Sequence, residues 1–147
     1  MNVRPATHAD TARLAELSAQ WADEGITIGQ QPDDQEWFEA AIGSYFLVAE
    51  NDGDIVGFAQ GEELVSDERH TAVLPAGTRY LDVTNVYVVP RLRSSGVGGA
   101  LLDELLDRAA RQGIERSMVY SAASELDRVV AFYREHGFRG WFVQLVR

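Results

Sequence analysis

The stretch from residue 86 to residue 102 constrains this chain more than any other. It reads Val-Tyr-Val-Val-Pro-Arg-Leu-Arg-Ser-Ser-Gly-Val-Gly-Gly-Ala-Leu-Leu. A β-prone apolar run stops at Pro90, and a short loop carries Arg91, Arg93, Ser94 and Ser95. Gly96, Gly98 and Gly99, with Val97 between them, then lead into a leucine-rich segment. A strand that feeds a glycine-rich turn and a helix start is a candidate phosphate cradle. Its backbone N–H groups converge, and the helix dipole favours a negative guest there. The two arginines place mobile positive charge beside it.

The remaining composition narrows the class. A chain of 147 residues fits one domain, 1–147, and can bury a real core. It has no cysteine, which excludes disulfides, thiolate catalysis and zinc–thiolate sites, and no metal is expected. No signal peptide and no apolar run long enough to span a bilayer is visible, so a soluble cytoplasmic protein is the default expectation. A net charge of −10 argues against a nucleic-acid or anionic-membrane partner, because both need a positive field. It favours a cationic ligand weakly, and a solubilising surface explains it as well.

Periodicity gives the order β-α-α-β-β-β-α-β-α-β. A first strand covers 3–6. Thr7 and Asp10 form a capping-box-like start for a helix with Leu14, Leu17 and Trp21 on one face. A second helix follows Pro32, Asp33 and Asp34. Runs 45–49 and 55–61 flank an Asp-Gly hairpin signal at Asp52 and Gly53. A charged loop is expected at 65–78 and a strand at 80–89. The glycine turn starts a helix whose apolar stripe is Leu101, Leu102, Leu105, Leu106 and Ala109. A short strand at 118–122 precedes a helix with Ser124 and Asp127 as its capping residues. A terminal strand is expected at 138–146. This pattern predicts an α/β (α+β layered) domain, a mixed sheet covered by helices.

A glycine-rich turn alone is unspecific, so its competitors need testing. The Walker phosphate loop requires Lys-Ser/Thr after its last glycine, whereas Gly99 is followed by Ala100 and Leu101. The dinucleotide fingerprint requires a third glycine where Leu101 stands. What remains is Arg-x-x-Gly-x-Gly at 93–98, preceded by Val-x-Val-x-Pro at 86–90. This resembles the acyl-CoA-binding motif of the GNAT superfamily of N-acyltransferases. The run Phe132-Tyr133-Arg134-Glu135-His136-Gly137-Phe138 is similar to the family's Phe/Leu-Tyr-x-x-x-Gly-Phe signature. The opening Val-Arg-Pro-Ala-Thr-x-x-Asp resembles its first strand and helix. The resemblance spans nearly the whole chain.

The resemblance implies a mostly antiparallel central sheet flanked by about four helices, with acetyl-CoA as acyl-donor co-substrate and an amine acceptor. Backbone N–H groups of Arg93, Ser94, Ser95, Gly96, Val97, Gly98 and Gly99 would hold the pyrophosphate, with Arg91 nearby. The strand Val86, Tyr87 and Val88 would run beside the pantetheine arm, Val86 and Val88 pairing with it through their backbones. The N–H near Val86 could polarise the thioester carbonyl, and Tyr133 would act as general acid beside the sulfur. Leu126 stands where the family often has Asn seven residues before that tyrosine, which removes one polar contact. The short segment after Phe138 leaves one wall of the acceptor pocket open or supplied by a partner subunit. A homodimer through 140–146 is one such arrangement.

The implied reaction is direct attack of an amine on a thioester. A lysine-like amine, with a pKa of about 10.4, is only ~0.1% neutral at about pH 7.4, and losing its proton costs roughly 4 kcal/mol. A base is therefore required. Asp82 lies on the motif strand, in alternation phase with Val86 and Val88. Glu62 and Glu63 end the preceding strand, where a solvated strand end is the competing explanation. Pairing with Arg79 or another surface cation is the competing explanation for Asp82. His70 sits in a charged loop, where a histidine is usually just exposed. A non-catalytic acyl-CoA-binding or sensor module is the alternative function, and the sequence leaves the acceptor open.

Overall fold

The computed structural model describes residues 1–70 and 72–147; Thr71, inside the charged loop expected at 65–78, lies outside the described residues. Among the described residues, five strands and four α-helices run in the order β1 (Asn2–Pro5), α1 (Thr11–Glu24), α2 (Gln35–Ala41), β2 (Phe46–Asn51), β3 (Asp54–Val65), β4 (Arg79–Val88), α3 (Val97–Arg111), β5 (Ser117–Val119) and α4 (Leu126–Glu135). Spatial order follows chain order, β1-β2-β3-β4-β5. The first three pairings are antiparallel and only β4–β5 is parallel, which is the mixed, mostly antiparallel sheet expected.

Helices cover both faces. On one, α1 and α2 meet the sheet through an aromatic cluster of Trp21, Phe38, Phe46, Phe58 and Tyr87. On the other, α3 buries Leu101, Leu102, Leu105 and Ala109 completely. Each such leucine contributes roughly 1.5–3 kcal/mol of burial, so these two faces hold the sheet in place. At the amino end, the Thr7–Asp10 capping box forms: Asp10 accepts from the Thr7 N–H (2.7 Å) and from both terminal nitrogens of Arg4 (2.8 Å each). Asp34 caps α2 by accepting from the Trp37 N–H.

Three expectations fail, each for a physical reason. β3 does not stop at residue 61 but continues to Val65, because Glu62 through Val65 find partners in Asp82 through Arg79. Ser124 does not cap α4; its hydroxyl donates to the Ile26 carbonyl, and its N–H bonds the same oxygen. The strand expected at 138–146 is absent. Only Phe138 docks, its N–H on the Tyr133 carbonyl and its ring 5.4 Å from the Tyr133 ring. From Trp141 to Val146 the apolar side chains are exposed. β-propensity needs a paired neighbour, and β5, only three residues long, offers this segment almost no ladder.

Candidate active site

The segment between β4 and α3 has a backbone geometry that suits an anion. After a 3-10 turn at Pro90–Leu92, Ser94 (φ 60°) and Gly96 (φ 90°) take left-handed conformations. Such a loop gathers successive N–H groups into a concavity, and a serine held there is mildly strained. Gly96 is the N-cap of α3, and the Ala100 N–H is the first to bond back, to the Gly96 carbonyl. The N–H groups of Val97, Gly98 and Gly99 precede that bond, as at any helix start. Ser95 turns its hydroxyl inward, onto the Leu92 carbonyl.

The edge of β4 is open on the side away from β3. The parallel pairing with β5 ends at Val83↔Val119, while β4 runs on to Val88. The Val89 N–H bonds the Val56 carbonyl on β3, so by antiparallel alternation Tyr87 also turns its backbone to β3. Val86 and Val88 therefore direct theirs to the open edge. Tyr87, expected to share in that edge, does not: its backbone faces Phe58, and its phenol leaves for α1.

Arg93 also departs from its expected role. Its N–H closes the 3-10 turn on the Pro90 carbonyl. Its Nε donates to the Val88 carbonyl at 2.9 Å, and its two terminal nitrogens hold the Glu24 carboxylate at 2.7 and 2.9 Å. Its guanidinium also lies over the Tyr87 ring, and Tyr87 donates its hydroxyl to Glu24 at 2.6 Å. Burial, then this bond to a carboxylate, raises the Tyr87 phenol above its ordinary value. Arg93 is thus a fixed side chain rather than a mobile cation. Arg91 is more exposed and lies 3.6 Å from Asp54. Glu24 was missed in the sequence, although an acid in the last turn of a helix opposes the helix dipole and signals a required partner.

A bulge decides the placement of the candidate bases. β3 and β4 pair Phe58↔Tyr87 and Gln60↔Asn85, then shift to Gly61↔Val83 and Glu62↔Asp82. The extra residue, Thr84, reverses the alternation. Asp82 therefore shares a face with Asn85 and Tyr87, the face under α1, and not with Val86 and Val88 as unbroken alternation predicts. Glu62 stands directly opposite it. Burial, then the Glu62 charge, raises the Asp82 carboxyl, and the His70 imidazole pulls it partly back. His70 is not the freely exposed side chain expected; its ring packs 5.7 Å from Tyr80, and Asp67 holds its Nδ1 at 3.2 Å. Arg79 pairs with Glu63 at 2.6 Å and not with Asp82, and it holds the Glu63 carboxyl below its ordinary value.

α4 closes the opposite side. Its Phe132, and His136 at its C-cap, lie on the start of α3. A Cβ on Gly98 would meet the Phe132 ring at 3.6 Å, and one on Gly99 would stand 3.0 Å from His136 Cε1. The His136 Nδ1 is 2.7 Å from Asp103. These glycines therefore admit α4 as well as any ligand. Tyr133 packs between Phe132 and Phe138, and burial pushes its phenol up to about 12.

Comparison with known proteins agrees with this geometry. The chain is 26% identical over 145 residues to the uncharacterized N-acetyltransferase YhfO of Bacillus subtilis (strain 168), covering 94% of this chain and 89% of that one. It is 28% identical over 148 residues to the L-methionine sulfoximine/L-methionine sulfone acetyltransferase of Salmonella typhimurium (strain LT2), covering 94% and 80%. A predicted acetyltransferase from Clostridium acetobutylicum, solved with acetyl-CoA, shares the fold with a TM-score of 0.71 at 22% identity, covering 99% of this chain and 95% of that one. Residues 11–138 match the family model described as the Acetyltransferase (GNAT) family. The chain belongs to that family, the acyl-CoA-dependent N-acetyltransferases with acetyl-CoA as their co-substrate.

Proposed function

We propose that the chain transfers the acetyl group of acetyl-CoA to a primary amine of a small molecule, a peptide or a protein by direct attack. The observation that carries this reading is the open β4 edge at Val86 and Val88, which ends at the anion-binding loop and α3 start. An extended amide-bearing arm with a pyrophosphate at one end fits both parts, the arm as an added strand and the phosphates on N–H groups. The groups that fit the pyrophosphate are the N–H groups of Ser94, Ser95, Gly96, Val97, Gly98 and Gly99. The donor supplies a thioester carbonyl for attack. The Val86 N–H is the group that would polarise it.

On the α1 face, Asp82 is the base. Its raised carboxyl is better matched to taking a proton from an ammonium group than an ordinary aspartate, and Glu62 opposite supplies the charge that helps to raise it. Tyr133 donates toward the leaving sulfur. With the phenol near 12, full proton transfer to a thiolate of about 8.5 is uphill by about 5 kcal/mol. Tyr133 therefore acts chiefly as a hydrogen-bond donor to developing charge.

The test is an acceptor screen with acetyl-CoA that reads free thiol, led by amino-acid-like α-amines because a relative at 28% identity bears the name of such an acceptor. Thiol release with one acceptor class supports the reading. Acetyl-CoA binding by calorimetry without thiol release from any amine would make the chain a binding module instead. We further propose a homodimer through 140–146, supported by exposure of Trp141, Phe142, Val143, Leu145 and Val146. Light scattering on the full chain and on a chain ending at Arg139 tests it: a dimer that becomes a monomer supports it, and a monomeric full chain rejects it.

A further inference from the structure

The last turn of α1 has no part in the transfer chemistry, yet it touches both the cradle loop and β4. Glu24 receives two hydrogen bonds, one from Arg93 in the cradle loop and one from the Tyr87 hydroxyl on β4, and its other oxygen lies 2.7 Å from the second terminal nitrogen of Arg93. Arg93 in turn closes the Val88 carbonyl, which otherwise faces the open edge. Trp21, one turn earlier, stacks on Tyr87 with ring centroids 5.4 Å apart and donates its Nε1 to the Thr27 hydroxyl. Beyond Gly25 the chain bridges to the segment that leads into α4, through Thr27↔Ala123 and the Ile28 N–H on the Ala122 carbonyl.

We propose that Glu24 is the positioning residue of the co-substrate site: through a two-pronged pair with Arg93 it fixes the loop whose N–H groups hold the pyrophosphate and sets where the β4 edge stops accepting the arm. The inference rests on the acetyl-CoA reading above and goes beyond it by giving α1 a role in donor binding. Three features support it. A planar guanidinium fork on a carboxylate fixes orientation as well as distance. An acid in the last turn of a helix is disfavoured by the dipole, so it persists there with a partner that offsets the cost. Arg93 also spends its N–H on Pro90, so the residue is anchored at both backbone and side chain before the N–H groups of Ser94 onward become available. The loop then meets its ligand already ordered, and less of the binding free energy goes into ordering it.

The experiment uses the whole chain and two measurements, acetyl-CoA affinity by calorimetry and amide hydrogen exchange of the ligand-free protein. Glu24→Gln keeps the shape and removes the charge. The expected result is an affinity loss of about tenfold, with faster exchange across 90–100 and unchanged exchange in β2. Arg93→Gln should give the same two changes, and the double variant should lose no more than either single one. Unchanged or tighter affinity in Glu24→Gln, or unchanged exchange at 90–100, overturns the proposal. So does an Arg93→Gln variant that loses more than Glu24→Gln and flattens the ionic-strength dependence, since Arg93 would then touch the phosphates itself. If Glu24→Gln does not fold, Arg93→Lys replaces it, since lysine keeps the charge but cannot form the fork; unchanged affinity and exchange there overturn the proposal equally. A wild-type chain without acetyl-CoA affinity would reject the underlying reading instead, and the exchange result would still decide whether Glu24 orders the loop.

Discussion

Glu62 and Asp82 are directly opposed across the β3–β4 pair: Glu62 follows Phe58 and Gln60 in unbroken alternation on β3, and the one-residue bulge at Thr84 brings Asp82 onto that same face, the one covered by α1. Burial, and then the Glu62 charge across the pair, raise the Asp82 carboxyl above its ordinary value.

Asp82→Asn is expected to lower kcat/KM by roughly 10²-fold or more, the range for a lost general base, and to abolish the limb of the pH profile on which activity rises as Asp82 ionises. Its effect on stability has the opposite sign. Because the folded carboxyl is raised, the native state keeps a proton the unfolded chain has already released, and stability falls as pH rises through the folded value. The variant should therefore melt higher than wild type near neutral pH, with the gain vanishing below the ordinary aspartate range. Thermal melts across pH check this; a variant less stable at neutral pH would contradict it.

Tyr133→Phe should reduce turnover by roughly 10²-fold while leaving acetyl-CoA affinity close to wild type. The phenol at about 12 stays protonated through the working range, so no activity loss below about pH 10 is assigned to it. Turnover near wild type in a folded variant would remove its role as donor.

Gly57→Ala reports on how the β4 edge is held. A Cβ there would stand 2.7 Å from the Tyr87 carbonyl oxygen and 3.3 Å from Leu101 and Val88 side-chain atoms. Backbone of the neighbouring strand must move, at a cost of about 1–3 kcal/mol, and Val86 to Val88 move with it. Chemical denaturation should show that loss, and calorimetry a weaker acetyl-CoA affinity.

Asp10 anchors the amino end. The Arg4 guanidinium, before any other contact, holds its carboxyl down to about 2, and the side chain is only 8% exposed. A depressed carboxyl contributes stability that is present above its unfolded value and is lost as pH falls through the folded one. Asp10→Asn should cost about 2 kcal/mol at neutral pH, and the difference from wild type should shrink as pH falls from about 4 toward 2. Denaturation midpoints over that range measure it.

How much was legible in the sequence follows from how local each feature is. The capping box of Thr7 and Asp10, the buried stripe from Leu101 to Ala109 and the strand–glycine–helix junction at 86–102 depend on neighbours a few residues apart, so the sequence determined them. It also determined the family resemblance, because the motif at 86–98 and the Phe132 to Phe138 signature are contiguous. The tertiary structure decided the rest. Alternation along β4 misplaced Asp82 because a bulge appears only when two strands are paired. Arg93 reads as a free cation beside glycines until Glu24, 69 residues earlier, folds against it. The apolar run at 138–146 has the composition of a strand without a ladder to join, since backbone hydrogen bonds need a partner that composition cannot supply. Local propensity and spacing wrote the elements; registry, burial and charge pairing between distant segments decided which side chains meet at the site.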